Sequence, residues 1–139
     1  MKTISIVVPC YNEEESVALF YRELTKNDPF FKEKEIELEL LYIDDGSKDG
    51  TVREVKKLIE QDPRVHIISF SRNFGKEAAM FAGLEKAEGD CAVIIDCDLQ
   101  HPPEKILEMY HLWEEGYDVI EGVKEDRGKE SLLHRAFAN

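Results

Sequence analysis

What this sequence has least of is positive charge: 18 lysines and arginines stand against 30 aspartates and glutamates, a formal net charge of -12. That balance argues against a nucleic-acid binder, which displays a basic stripe to phosphates. Any anionic ligand therefore needs local cations or a metal. Cysteine is scarce too, with 3 in 139 residues. Cys10, Cys91 and Cys97 are odd in number and lack the paired spacing of a zinc site, so they read as reduced thiols of a cytoplasmic protein. Long hydrophobic runs are missing, and no stretch approaches the length that spans a bilayer. The opening MKTISIVVP starts like an export signal, but its apolar run is too short and ends in Pro9, with three glutamates close behind. Repeats, low-complexity tracts and Pro/Gly/Ser-rich linkers are absent as well. Residues 1–139 read as one domain, 42% hydrophobic and able to bury a core.

What is present alternates between two periods. TISIVVP, IELELLYID, VHIISFS, CAVIID and DVIEGV are β-branched or apolar runs of strand length. Between them lie helical patterns: Val17, Phe20, Tyr21 and Leu24 behind a cap at Asn12 and a first turn of Glu13–Glu15; Val52, Val55, Leu58 and Ile59; the alanine-rich GKEAAMFAGLEKA; and HPPEKILEMYHLWEEG with prolines in its first turn. NDPFFKEKE reads as a break after the first helix. Four alternations predict an α/β fold, a mostly parallel sheet flanked by helices, with ligands beyond the carboxyl ends of the strands. The tail is different. Lys124, Arg127, Lys129 and Arg135 gather cations, and Leu132, Leu133, Ala136 and Phe137 suit a short apolar face, as in a terminal helix or a segment approaching a membrane surface.

Polar clusters follow each of the first four strands: Pro9 to Glu13, Asp44 to Ser47, Arg72 to Lys76 and Asp96 to Gln100. On a parallel sheet they converge at one edge, offering carboxylates with two cations, Arg72 and Lys76. That set suits a nucleotide with a metal. Asp96 and Asp98, two apart, present oxygens to the same side, as a hard ion such as Mg2+ or Mn2+ requires when diphosphate oxygens and water complete its shell. An isolated pair of this kind is also what a solvated turn looks like. One of Asp44 and Asp45 can accept a hydrogen bond from a base N–H, although both also suit a turn or helix cap. Lys76, at a helix start after NFG, has a position suited to phosphate. His101 lacks a second histidine at metal-ligand spacing and reads as surface or cap.

Taken together, IVVPCYNEEESV, YIDDGSKDGT, SRNFGKEAA and DCDLQHPPE resemble the inverting family 2 glycosyltransferases, above all their polyprenyl-phosphate branch of dolichyl-phosphate mannose synthases and undecaprenyl-phosphate glucosyltransferases. The resemblance implies a Rossmann-like GT-A fold and a nucleoside diphosphate sugar as donor. Carried over by position, it implies that Pro9, Tyr11 and Glu13 line the nucleoside pocket and that Asp45, with Asp44 beside it, meets the base. It makes Asp96 and Asp98 the catalytic Asp-x-Asp pair, Asp98 the direct metal ligand and Asp96 nearer the ribose or a metal-bound water. Cys97 stands where the family often has alanine, and Gln100 falls at a donor or acceptor phosphate. The resemblance further implies that residues 1–139 are the nucleotide-sugar-binding part of a longer catalytic domain, working at the cytoplasmic face of a membrane in cell-envelope chemistry and turning over poorly alone.

The expected reaction is an in-line displacement with inversion, in which a metal at Asp98 neutralises the leaving diphosphate. A lipid-phosphate acceptor is already ionised at neutral pH, which fits the lack of an evident general base. Competing readings are a sugar-nucleotide nucleotidyltransferase, which needs a glycine-rich loop after the first strand where PCYNEEE stands, and a receiver-like module, whose acids follow the first and third strands rather than the second and fourth. A non-catalytic nucleotide-binding fragment is a further alternative.

Overall fold

The computed structural model describes residues 1–99, 105–115, 117–124 and 130–138. In chain order the elements are β1 (Lys2–Cys10), α1 (Val17–Thr25), α2 (Asp28–Glu33), β2 (Ile36–Asp44), α3 (Thr51–Gln61), β3 (Val65–Ser69), α4 (Lys76–Lys86), β4 (Cys91–Ile94), α5 (Ile106–Glu114), β5 (Tyr117–Lys124) and β6 (Glu130–Ala138). The strands form a single sheet in the order β3-β2-β1-β4-β5-β6. β1 runs parallel to β2 and β4, β2 to β3, and β4 to β5, while β6 returns antiparallel to β5. The α/β class and the mostly parallel sheet are as the sequence implies.

β1 is buried on both sides, which is why it reads as a continuous apolar run. Ile4, Ile6, Val8 and Cys10 join one core cluster and Val7 joins the other. The first cluster is covered by Val17, Phe20 and Leu24 of α1, Phe31 of α2, Val55 and Leu58 of α3, and Ile106 and Met109 of α5. Burying each such side chain contributes about 1.5–3 kcal/mol. Phe20 stands edge-on to Tyr42 at 6.4 Å, and the Tyr42 hydroxyl donates to the carbonyl of Val17 at 3.0 Å, so α1 is pinned to β2 by both shape and a satisfied polar tip. The second cluster is capped by α4 through Ala79. Gly83 brings that helix close enough that a Cβ there would lie 2.3 Å from Cγ1 of Val7.

Three local expectations are corrected. Asn12 does not cap α1: helix begins at Val17, and Asn12 adopts φ 53 with its side chain turned to another loop. The expected break after α1 contains a short helix, α2, with Pro29 in its first turn, where a missing N–H costs nothing. The tail is not a terminal helix. Residues 130–138 are strand β6, and β5 is their partner.

Candidate functional site

β1 is the pivot of the sheet. Its neighbours β2 and β4 lie on opposite sides, so the chain departs in different directions from their carboxyl ends and leaves a crevice. The loops around it are tied together. The Asn12 N–H donates to Ser47 Oγ at 2.8 Å, Lys48 N–H donates to Asn12 Oδ1 at 2.8 Å, and Glu13 N–H donates to Thr51 Oγ1 at 2.9 Å. Asp45 N–H reaches back to the Cys10 carbonyl at 2.8 Å. Its buried carboxylate accepts from Phe74 N–H at 2.7 Å, from Gly75 N–H, and from the Asn73 side-chain amide at 3.2 Å. Gly46 permits this clasp, because at φ 72 a Cβ would fall 2.2 Å from the Arg72 carbonyl carbon.

The result is a cavity of about 240 Å³ lined by Pro9, Cys10, Tyr11, Glu13, Asp45, Lys76, Ala79, Asp96, Cys97 and Asp98. Four strand ends that are distant in sequence thus share one rim. Asp44 is turned away from it: 2% exposed, its carboxylate accepts from Ser47 N–H at 3.1 Å and Ser69 Oγ at 3.0 Å. The Arg72 guanidinium lies over the Phe74 ring at 4.5 Å and is not among the lining residues. Gln100, His101 and Arg127 lie outside the described residues, as do the side chains of Lys124, Lys129 and Arg135.

The electrostatics of the rim are those of crowded acids. Glu13 is half-buried, and that burial raises its pKa above the ordinary carboxylate range; the charges of Asp98, Asp96 and Asp49 push the same way against a hydrogen bond with Ser16. Lys76 answers part of this charge, its ammonium 2.9 Å from Asp96 Oδ1. Among the described residues no three His, Cys, Asp or Glu side chains are grouped to hold a metal by themselves. Asp96 and Asp98 are instead the kind of donor set to which Mg2+ or Mn2+ adds phosphate oxygens and water, and the repulsion felt at Glu13 is what such an ion would relieve. Just beyond them Leu99 takes φ 63, a left-handed conformation costly for a non-glycine residue.

Cys10 and Ala79 line the cavity without having stood out in the sequence. Only the register of β1 against β4, and the stagger of α4 over β1, bring them there. Asn12, expected to cap a helix, and Ser47, Thr51 and Asn73, which read as turn residues, tie the loops instead. Their signal was present, since each lies in one of the four polar clusters or at its edge, but which loop each would tie could not be read from one chain.

The Glycosyl transferase family 2 model matches residues 5–135. The chain is 43% identical over 135 residues to the prophage bactoprenol glucosyl transferase homolog of Escherichia coli (strain K12), covering 97% of this chain and 43% of that protein. It is 45% identical over 134 residues to the uncharacterized glycosyltransferase YkcC of Bacillus subtilis (strain 168), covering 96% of this chain and 41% of the relative. It therefore spans about two-fifths of the length of these relatives. Among solved structures, S. aureus TarS 1-349 in complex with UDP-GlcNAc matches with TM-score 0.61 at 26% identity, over 83% of this chain and 32% of that one. The mannosyltransferase PcManGT from Pyrobaculum calidifontis, in complex with GDP-Man and Mn2+, matches with TM-score 0.59 at 28% identity, over 68% and 27%.

Proposed function

Because the chain belongs to glycosyl transferase family 2, we propose that it is the donor-binding part of an enzyme that moves a glucose-like sugar from UDP to a polyprenyl phosphate, with inversion. The observation that carries this reading is the cavity in which Asp96, Asp98 and Glu13 meet Lys76 and Asp45. A bactoprenol-directed name among the relatives supports the lipid acceptor, and the UDP-sugar bound by TarS supports the donor class.

In this reading Pro9, Tyr11 and Glu13 border the nucleoside. Asp45 takes the base N–H rather than Asp44, whose carboxylate is committed to Ser47 and Ser69. Asp98, with Asp96 beside it, would hold Mg2+ or Mn2+, which supplies charge neutralisation at the departing diphosphate. Lys76 brings a second positive charge to the same carboxylates from the first turn of α4. The acceptor phosphate arrives ionised, so none of the rim acids has to remove a proton. The acceptor side, and work at the cytoplasmic face of a membrane, belong to the same proposal. Among the described residues no helix is long and apolar enough to cross a bilayer.

Calorimetric titration tests the donor half directly. UDP and UDP-sugars should bind with Mn2+ present, lose that binding in chelator, and bind at least about tenfold more weakly to Asp98→Asn. UDP affinity indifferent to both chelator and substitution would overturn the metal-assisted reading. Tight GDP binding with no response to UDP would move the donor to another nucleotide class.

A further inference from the structure

Two of the cavity-lining side chains have no part in this mechanism. Cys10 and Cys97 are 3% and 1% exposed, both thiols are free, and both belong to the same core cluster. β1 and β4 pair in parallel from Ile4↔Cys91 to Val7↔Ile94, and the Ile95 N–H to Val7 carbonyl bond at 3.0 Å continues that ladder. Carried on past the end of β4 at Ile94, the same register would set Cys10 opposite Cys97. Because side chains alternate along a strand, Cys10 shares a face with Ile6 and Val8, and Cys97, just past the end of β4, lies in the same core cluster as they do, with Val93 and Ile95. Neighbouring strands lie about 4.8 Å apart, within the span of roughly 4.4–6.8 Å that a disulfide bridges between Cα atoms. Both thiols line the same cavity, and the Cys10 thiol donates to the Val8 carbonyl at 3.4 Å.

We propose that Cys10 and Cys97 form an oxidisable thiol pair in the donor cavity, which a hydroperoxide closes into a disulfide that disables ligand binding there. Hydrogen peroxide converts one thiol to a sulfenic acid and releases water. The second thiol attacks that sulfur, forming the S–S bond and expelling a second water, so the two electrons lost by the sulfurs reduce the peroxide. The bond fastens the middle residue of Asp96-Cys97-Asp98 to the end of β1 and draws the flanking carboxylates out of position. Cys91 is at the far end of the sheet: it begins β4 opposite Ile4, about 20 Å from Cys10 along β1. The loss of binding rests on the donor-site reading; the bond itself does not.

The test uses the reduced 139-residue chain, treated with hydrogen peroxide and examined by intact mass, peptide mapping and UDP/Mn2+ calorimetry. The expected product is lighter by two hydrogen atoms, with the Cys10 and Cys97 peptides joined and Cys91 free. UDP affinity should fall about tenfold to a hundredfold and return on treatment with dithiothreitol. Cys10→Ala, or Cys97→Ala should the first not fold, should show the same UDP affinity before and after peroxide. A bond that includes Cys91, separate sulfinic acids without a bond, or a Cys10–Cys97 bond that leaves UDP affinity unchanged would overturn the proposal. If the reduced chain ignores UDP altogether, the donor reading fails, while the mapping still decides whether the pair forms.

Discussion

Asp62 shows what one carboxylate can do away from the candidate site. It accepts the Tyr21 hydroxyl at 2.7 Å and the Arg64 guanidinium at 2.8 Å, and Arg64 also grips Asp28 at 3.0 Å. The Arg64 hydrogen bonds lower the Asp62 pKa to about 2, against the burial that opposes them. A depressed carboxylate contributes stability that is fully present above its unfolded value, about 3.9, and is lost as pH falls through its folded value. We expect Asp62→Asn to cost about 1–3 kcal/mol at neutral pH, with the gap to the parent closing as pH falls toward 2. Urea unfolding across that range checks it, and a gap independent of pH would assign the loss to packing. Glu13 at the rim behaves in the opposite sense: burial and neighbouring charge favour its protonated form. Residues of this kind were legible in the sequence because acids at strand ends stand out. Asp62, one acid among 30 Asp and Glu, did not.

At the scale of elements, the strands were read more surely than the helices. A β-branched run buried on both faces has few alternatives, so β1, β2, β3, β4 and β5 were all anticipated. Helix starts depend on where a side chain finds its partner, and Asn12 found Lys48 instead of the first turn of α1. The tail was ambiguous for another reason. Leu132, Leu133, Ala136 and Phe137 fit helical spacing, and only pairing with β5 decides for strand. The seat of α4 was not legible at all, since an alanine-rich helix does not announce that Gly83 touches Val7. There two effects oppose each other: alanine favours helix over glycine by about 1 kcal/mol, whereas an added Cβ would stand 2.3 Å from Val7 and 3.3 Å from Ile43. Val7 and Ile43 are fully buried with nowhere to move, so overpacking should win. We expect Gly83→Ala to lose about 1–3 kcal/mol in denaturant unfolding. A gain would mean that α4 can retreat from the sheet.

For the molecule as a whole, the sequence was a good guide to which residues meet and a poor guide to how they are held. Parallel topology alone sends four strand ends to one edge, and that was enough to assemble Glu13, Asp45, Lys76, Asp96 and Asp98. The ties among Asn12, Ser47, Thr51 and Asn73 required coordinates. A net charge of -12 also makes self-repulsion a property of the entire chain. Raising sodium chloride from roughly 0.02 to 0.3 M shortens the screening length severalfold, and we expect the thermal midpoint to rise across that range in scanning calorimetry. A fall would show that ion pairs such as Arg64 with Asp28 outweigh the repulsion. Within that repulsive field, Lys76 on Asp96 has a particular consequence. If the rim takes a divalent ion as proposed, that ion would succeed an incumbent rather than fill a vacancy, and the displaced ammonium would stay tethered beside it, within reach of whatever anion travels with it.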